Sequence, residues 1–150
     1  MKFSVDHNLP ELQGHINALY ARLNGDLKEP LNAVAGLLES STRKRFKTKT
    51  APDGSRWAPL SLWTLYSKTT RRNGKVRGSL LVDRGDLLES ITSHATKNMA
   101  EVGTDRVYAA YLQTGTRNMP ARPIFGLSEQ DRNDIRDALG NWLKTIWSKP

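Results

Sequence analysis

The sequence contains no cysteine. That excludes disulfides, thiolate nucleophiles and cysteine-ligated metal centres, and it suits a cytosolic life at least as well as a secreted one. The three histidines, His7, His15 and His94, lie far apart and show no HExxH-like spacing, so no histidine metal site is read from them. No apolar run approaches the roughly 18 residues of a membrane span. The opening residues, Met1-Lys2-Phe3-Ser4-Val5-Asp6-His7, lack the apolar segment of a signal peptide. Phosphate loops are missing too: Gly74, Gly78 and Gly85 are scattered and no G-x-x-x-x-G-K-[ST] occurs. Ser61, Ser67 and Ser79 stand in no G-x-S-x-G context. Asp83, Asp86 and Glu89 are three residues apart and can share a helical face, but they coincide with a turn and a helix start, where capping accounts for carboxylates. The expectation is a chain without catalytic residues, cofactor or metal.

What is present is charge of one sign in one place. The 150 residues suit a single domain, 1–150, with one sizeable core. Between residues 43 and 84 twelve lysines and arginines face only Asp53 and Asp83, a local +10 that exceeds the +8 of the whole chain. The remainder is therefore slightly acidic, at −2. A positive field of this kind attracts nucleic acid or an acidic protein surface. No aromatic residues alternate with basic ones as a base-stacking platform would require, and no reader motif appears.

Periodicity places the helices. Leu9, Leu12, Ile16, Leu19 and Leu23 make one stripe and predict a helix over 9–23, with Asn8 as cap and Asn24-Gly25 as its end. A second helix is expected from Glu29-Pro30 to Arg45 or Phe46, with Leu31, Val34, Leu38 and Phe46 on one face, widened by Ala33, Ala35 and Leu37. Its last-turn Arg43-Lys44-Arg45 is explained by the helix dipole. Asp86 is expected to cap one short turn. Residues 90–97 and 99–104 read as a hairpin with Val102 inward, and Tyr108 to Gln113 as a short helix closed by Gly115. Ser128 caps a final helix with Ile135, Leu139, Trp142, Leu143 and Ile146 on one side.

Between them, from about 47 to 79, helical periodicity fails. Pro52-Asp53-Gly54 is a turn signal. Trp57, Leu60, Trp63 and Tyr66 then read as apolar anchors on a protruding, flexible basic arm, with Ser61 capping a short helix over 63–66. The alternative for the tryptophans is a hydrophobic plug holding the arm down. Residues 68–78, with Arg71, Arg72, Lys75 and Arg77, are expected to be a mobile tip. Two prolines around Ala121-Arg122 predict a rigid extended segment over 119–123, presenting Arg122 to a carboxylate such as Asp83 or Asp86, or to a neighbour.

Several blocks in order carry a resemblance. They are Phe46, Pro52-Asp53-Gly54, Trp57-Ala58-Pro59-Leu60-Ser61, Thr64 and Lys68, then the run from Leu80 to Ile91 and Val102-Gly103-Thr104. Tyr108-Ala109, Gln113-Thr114-Gly115 and Met119-Pro120-Ala121-Arg122-Pro123-Ile124-Phe125-Gly126-Leu127 complete the series. Together, over residues 31–143, they resemble the virion morphogenesis family of tailed bacteriophages, the tail-completion or neck proteins of Mu-like and P2-like phages. Leu112 stands where that family often has histidine in H-Q-x-G. The resemblance implies an α+β fold, with long N-terminal helices and a C-terminal helix on a small antiparallel sheet. It further implies a structural protein of the virion, assembled in the bacterial host cytoplasm and acting in tail completion or head–tail joining. The form implied is a homo-oligomeric ring, a hexamer being one candidate, that contacts connector and tail proteins and lets non-specific DNA contact occur in the lumen. The competing reading is a small nucleic-acid-binding protein whose arm grips phosphates. Trp57, Leu60, Trp63, Tyr66, Arg71, Arg72, Lys75, Arg77 and Arg122 are the candidate interface residues.

Overall fold

The computed structural model describes residues 26–70, 80–82 and 85–148, together with Gly14, Asn17, Ala18 and Ala21. Those four are helical and exposed, while the stripe of the expected helix over 9–23 lies outside the described residues. The continuous elements are α1 (Lys28–Thr48), α2 (Leu62–Thr70), α3 (Asp86–Glu89), β1 (Thr92–Ala95), β2 (Ala100–Gly103), α4 (Tyr108–Thr114) and α5 (Glu129–Trp147). The fold is α+β: β1 and β2 form an antiparallel hairpin, and α1 packs on both strands and on α5. Ser93 faces Val102 in the register, and Thr96 N–H closes the hairpin on Met99 O at 2.8 Å.

α1 starts with Pro30 in its first turn, where a missing N–H costs nothing. It ends where Lys49 turns left-handed at φ 58°. Its buried residues are Pro30, Val34, Ala35, Thr42, Arg45 and Phe46; Leu31 and Leu38 are half-buried, and Ala33, expected on the inner face, is exposed. The Arg43-Lys44-Arg45 triplet does more than offset a dipole. Arg43 donates to Leu88 O (3.1 Å), Ile91 O (2.6 Å) and Glu39 (3.0 Å), tying α1 to the segment entering β1. Glu39 also accepts the Ser93 hydroxyl at 2.7 Å; that bond first, and Arg43 second, hold its carboxyl below the usual range against the effect of burial. Arg45 is buried, donating to Ile124 O at 2.8 Å and to Asp131 at 2.6 Å. Of the three, Lys44 is the exposed one.

Asp131 is also the third residue of α5. It completes a capping box, taking the Ser128 N–H while the Ser128 hydroxyl takes the Asp131 N–H. One carboxylate thus caps α5 and anchors it to α1. The apolar side of α5 is only half covered: Ile135, Leu139, Trp142 and Ile146 are half-buried and Leu143 is exposed. The core sits elsewhere, in Phe46, Ala51, Trp57, Leu87, Ile91, Ala109, Leu112 and Ile124. It is drawn mostly from ends and connections of elements, so periodicity alone could not assemble it.

Gly85, not Asp86, occupies the cap position of α3; Asp86 is its first helical residue. Gly115 closes α4 at φ 76°, and a Cβ there would lie 2.8 Å from Ala121 N and 2.9 Å from Met119 O. This close approach lets the chain after α4 fold directly back along it.

Candidate assembly interface

The arm begins as a small closed loop. Trp57 N–H donates to Lys49 O (2.9 Å), Ala51 N–H to Ser55 O (2.8 Å), and Thr50 bridges Arg56. The expected Pro52-Asp53-Gly54 turn is there, with Gly54 at φ 84°. Asp53 accepts both the Ser55 hydroxyl (2.6 Å) and its N–H (2.9 Å), and these bonds hold its carboxyl below the usual range. Pro52 packs against Gly126, where any Cβ would lie 2.7 Å from Pro52 Cγ. The turn is therefore docked on the segment leading to α5.

Trp57 then enters the core. It is 5% exposed, meets Phe46 edge-to-face at 5.6 Å between ring centroids, and donates Nε1–H to Pro123 O at 2.8 Å. The plug reading holds for this residue, and its candidacy as an anchor on a neighbour is corrected. Arg122 is corrected as well. It is 4% exposed, donating Nε–H to Ala58 O (2.8 Å) and Nη2–H to Pro59 O (2.9 Å). Asp86 is not among its partners, and Asp83 lies outside the described residues. The extended segment 119–123 serves to bring a guanidinium under the arm, because its prolines keep the chain out of helix. Gln113 fixes the next residues: its amide donates to Phe125 O (2.8 Å) and accepts the N–H groups of Ile124 (2.9 Å) and Phe125 (3.0 Å). The role of Gln113 was not read from the sequence, although it stands in one of the resembling blocks.

Beyond this clamp the character of the arm changes. Ser61 caps α2 as expected, accepting the Thr64 N–H at 3.2 Å and bonding the Thr64 hydroxyl at 2.8 Å. The helix is longer than the predicted 63–66 and takes in 68–70, which were expected to belong to the mobile tip. Leu62 is 85% exposed and Trp63 75%; Leu65 and Tyr66 are exposed as well. Trp63 and Tyr66, one turn apart, hold their rings 6.4 Å apart at 32°. Leu60 is half-buried at the boundary. Arg71, Arg72, Lys75 and Arg77 lie outside the described residues. The candidate set therefore divides into Trp57 and Arg122, which hold the arm, and Trp63 and Tyr66, which the arm presents. Leu62, Trp63 and Tyr66 thus stand exposed on α2, beyond the part of the arm that is packed into the body.

A second exposed apolar group went unread in the sequence. Val107, Tyr108 and Tyr111 are exposed at the start of α4, and the available signal was that Val107 and Tyr108 stand four and three residues before Tyr111. Among the described residues no group of histidine, aspartate and glutamate is placed to hold a metal, and no helix is long and apolar enough to cross a membrane.

The profile of the phage virion morphogenesis family matches residues 7–144. The chain belongs to this family. It is 34% identical over 116 residues to the putative capsid assembly protein G of Escherichia phage Mu, covering 71% of this chain and 72% of that relative. Two Haemophilus influenzae relatives, the Mu-like prophage FluMu G proteins 1 and 2, are 29% and 31% identical over 131 and 124 residues. Those alignments cover 81% and 77% of this chain, and 82% and 78% of the relatives. No solved structure matches the chain. As a member of the phage virion morphogenesis family it has a structural role in building the phage head or tail.

Within this family member the Arg122 clamp should be separable from the fold. Arg122→Ala strips two carbonyls of their donors, a loss of about 1–3 kcal/mol local to the arm. Amide exchange over residues 57–66 is expected to accelerate about tenfold or more while α1 keeps its protection. Unchanged exchange there would show that something else holds the arm.

Proposed function

We propose that the chain acts in tail completion or head–tail joining, as the subunit of a homo-oligomeric ring at the neck or head-proximal end of the tail. It works by contact alone, with the connector and tail proteins of the virion as its other partners. The observation that carries this reading is α2, a helix fixed at its base by Trp57 and Arg122 and apolar on its outer side. A rigidly held aromatic surface binds a partner without first being ordered, and aromatic anchors concentrate interface energy. The Mu relative is named for capsid assembly, which agrees with a position next to the head.

The test is the double substitution Leu62→Ala with Trp63→Ala. Both side chains are exposed, so the unfolding free energy of the isolated subunit should stay within about 1 kcal/mol of the parent. The yield of tail-joined, infectious particles should fall about a hundredfold, the scale of losing two anchors of ~1–2 kcal/mol each. A full yield of such particles would remove α2 from the interface.

A further inference from the structure

We infer that the end of α1 and the loop after it form a docking row for the phosphate backbone of duplex DNA, held without regard to sequence. The row lies on a single subunit, so it goes beyond the ring reading and does not depend on it. Arg43 and Arg45 are taken up in holding the body together, while Lys44, Lys47, Lys49 and Arg56 stay exposed. Among the described residues none of these four side chains has a hydrogen bond or an ion pair.

Local geometry sets them side by side. Lys44, Lys47 and Thr48 lie three and four residues apart, on one side of the last turn of α1. The hydroxyls of Thr48 and Thr50 are bonded at 2.7 Å, which carries the row across the left-handed turn at Lys49. Thr50 is bridged to Arg56, and residues facing one another across an antiparallel pair put their side chains on the same side. The row therefore runs Lys44, Thr48, Thr50, Arg56, with Lys47 and Lys49 next to it in the chain. The nearby carboxylates are engaged. Asp53 accepts from Ser55, Asp131 from Arg45, and Asp134, across a cleft shared with Lys44, from the Gln130 amide at 2.7 Å.

The character of the row selects its partner. No exposed large apolar side chain belongs to α1 or to residues 49–57, whereas protein interfaces carry an apolar core. Free lysine and arginine interleaved with threonine hydroxyls are the donors that phosphate oxygens accept from. No aromatic ring is exposed there, since Phe46 and Trp57 are both buried. Base stacking is thereby removed, which favours a duplex gripped from outside over a single strand. A grip on the backbone alone tolerates any base sequence, as a protein of the virion requires.

The test titrates the full chain with a mixed-sequence DNA duplex, read by fluorescence anisotropy at several salt concentrations. Four neutralised phosphates give a salt slope of about −3.5, so affinity should fall about a hundredfold or more from about 50 to about 200 mM NaCl. The variant carrying Lys44→Gln, Lys47→Gln, Lys49→Gln and Arg56→Gln changes only exposed positions and should unfold with the parent. It should bind at least about tenfold more weakly at the lower salt, with a slope smaller by about 3, and Lys44→Gln with Lys47→Gln should show about half that change in slope. A parent that does not bind the duplex would overturn the inference. Slopes in both variants equal to the parent's would overturn it too, by assigning the DNA contact to other basic residues. Polyglutamate should bind at least about tenfold more weakly than the duplex; tighter binding, lost in the same variants, would replace DNA with an acidic protein surface. Because free subunits are measured, each of these outcomes leaves the ring reading to the count of copies in the particle.

Discussion

Replacing Trp57 with alanine is expected to lower the stability of the isolated subunit by about 3–5 kcal/mol, the usual cost of truncating a buried aromatic side chain. The residue fills the space between Phe46 and the 123–125 segment, and its indole N–H satisfies a carbonyl that would otherwise lose its partner. Chemical denaturation reads the loss directly. Trp63→Ala, six positions later, should leave the same measurement within about 0.5 kcal/mol, because that side chain is largely in solvent. Equal losses for the two would place Trp63 in the core of the subunit and dissolve the distinction between the part of the arm that is held and the part that is offered.

Asp131→Ala is the second large effect, and it should cost about 3–5 kcal/mol. Removing one member of a buried ion pair leaves the other as an uncompensated charge, here Arg45, and α5 loses its cap in the same step. Burial pushes the Asp131 carboxyl up, but hydrogen bonds from Ser41 and Ser128 and the charge of Arg45 outweigh it and hold the carboxyl below its ordinary value. The folded pKa therefore lies beneath the unfolded one. The stabilisation is complete above the ordinary aspartate value of about 3.9 and disappears as pH falls through the lower folded value. Unfolding measured from pH 7 downwards should show an acid limb that is shallower in Asp131→Ala. Replacing both Arg45 and Asp131 with apolar residues of similar volume should recover much of the loss, as expected when the cost is a stranded charge. An acid limb of unchanged steepness would mean that the pair contributes little to the pH dependence.

The helices were legible because each carries its own local signals. Ser128 announced α5, Gly115 closed α4, and Pro30 opened α1. The hairpin was placed correctly but trimmed at both ends, as strand boundaries depend on pairing rather than on alternation. Less legible was everything that depends on distant residues. Arg45 and Asp131 are 86 positions apart and Arg122 reaches back 64 to Ala58, so neither bond leaves a trace in local sequence. For the same reason a basic triplet looked like a solvated helix end when two of its members hold the body together. The aromatic residues of the arm showed the opposite difficulty. Composition marks Trp57 and Trp63 alike, and only the return of the 122–125 segment decides which one is covered. The exposed group at Val107, Tyr108 and Tyr111 was passed over because a short helix with apolar residues reads as core until its neighbours are known.

The most direct test of the central claim, that this family member builds a virion through a fixed, outward-facing α2, is an electron-microscopic reconstruction of the completed particle at side-chain resolution. The expected map shows a closed ring of identical copies at the head-proximal end of the tail, with Leu62, Trp63 and Tyr66 of each copy buried against a neighbouring protein. A complete, infectious particle in which the chain is present while those three side chains face solvent would contradict it.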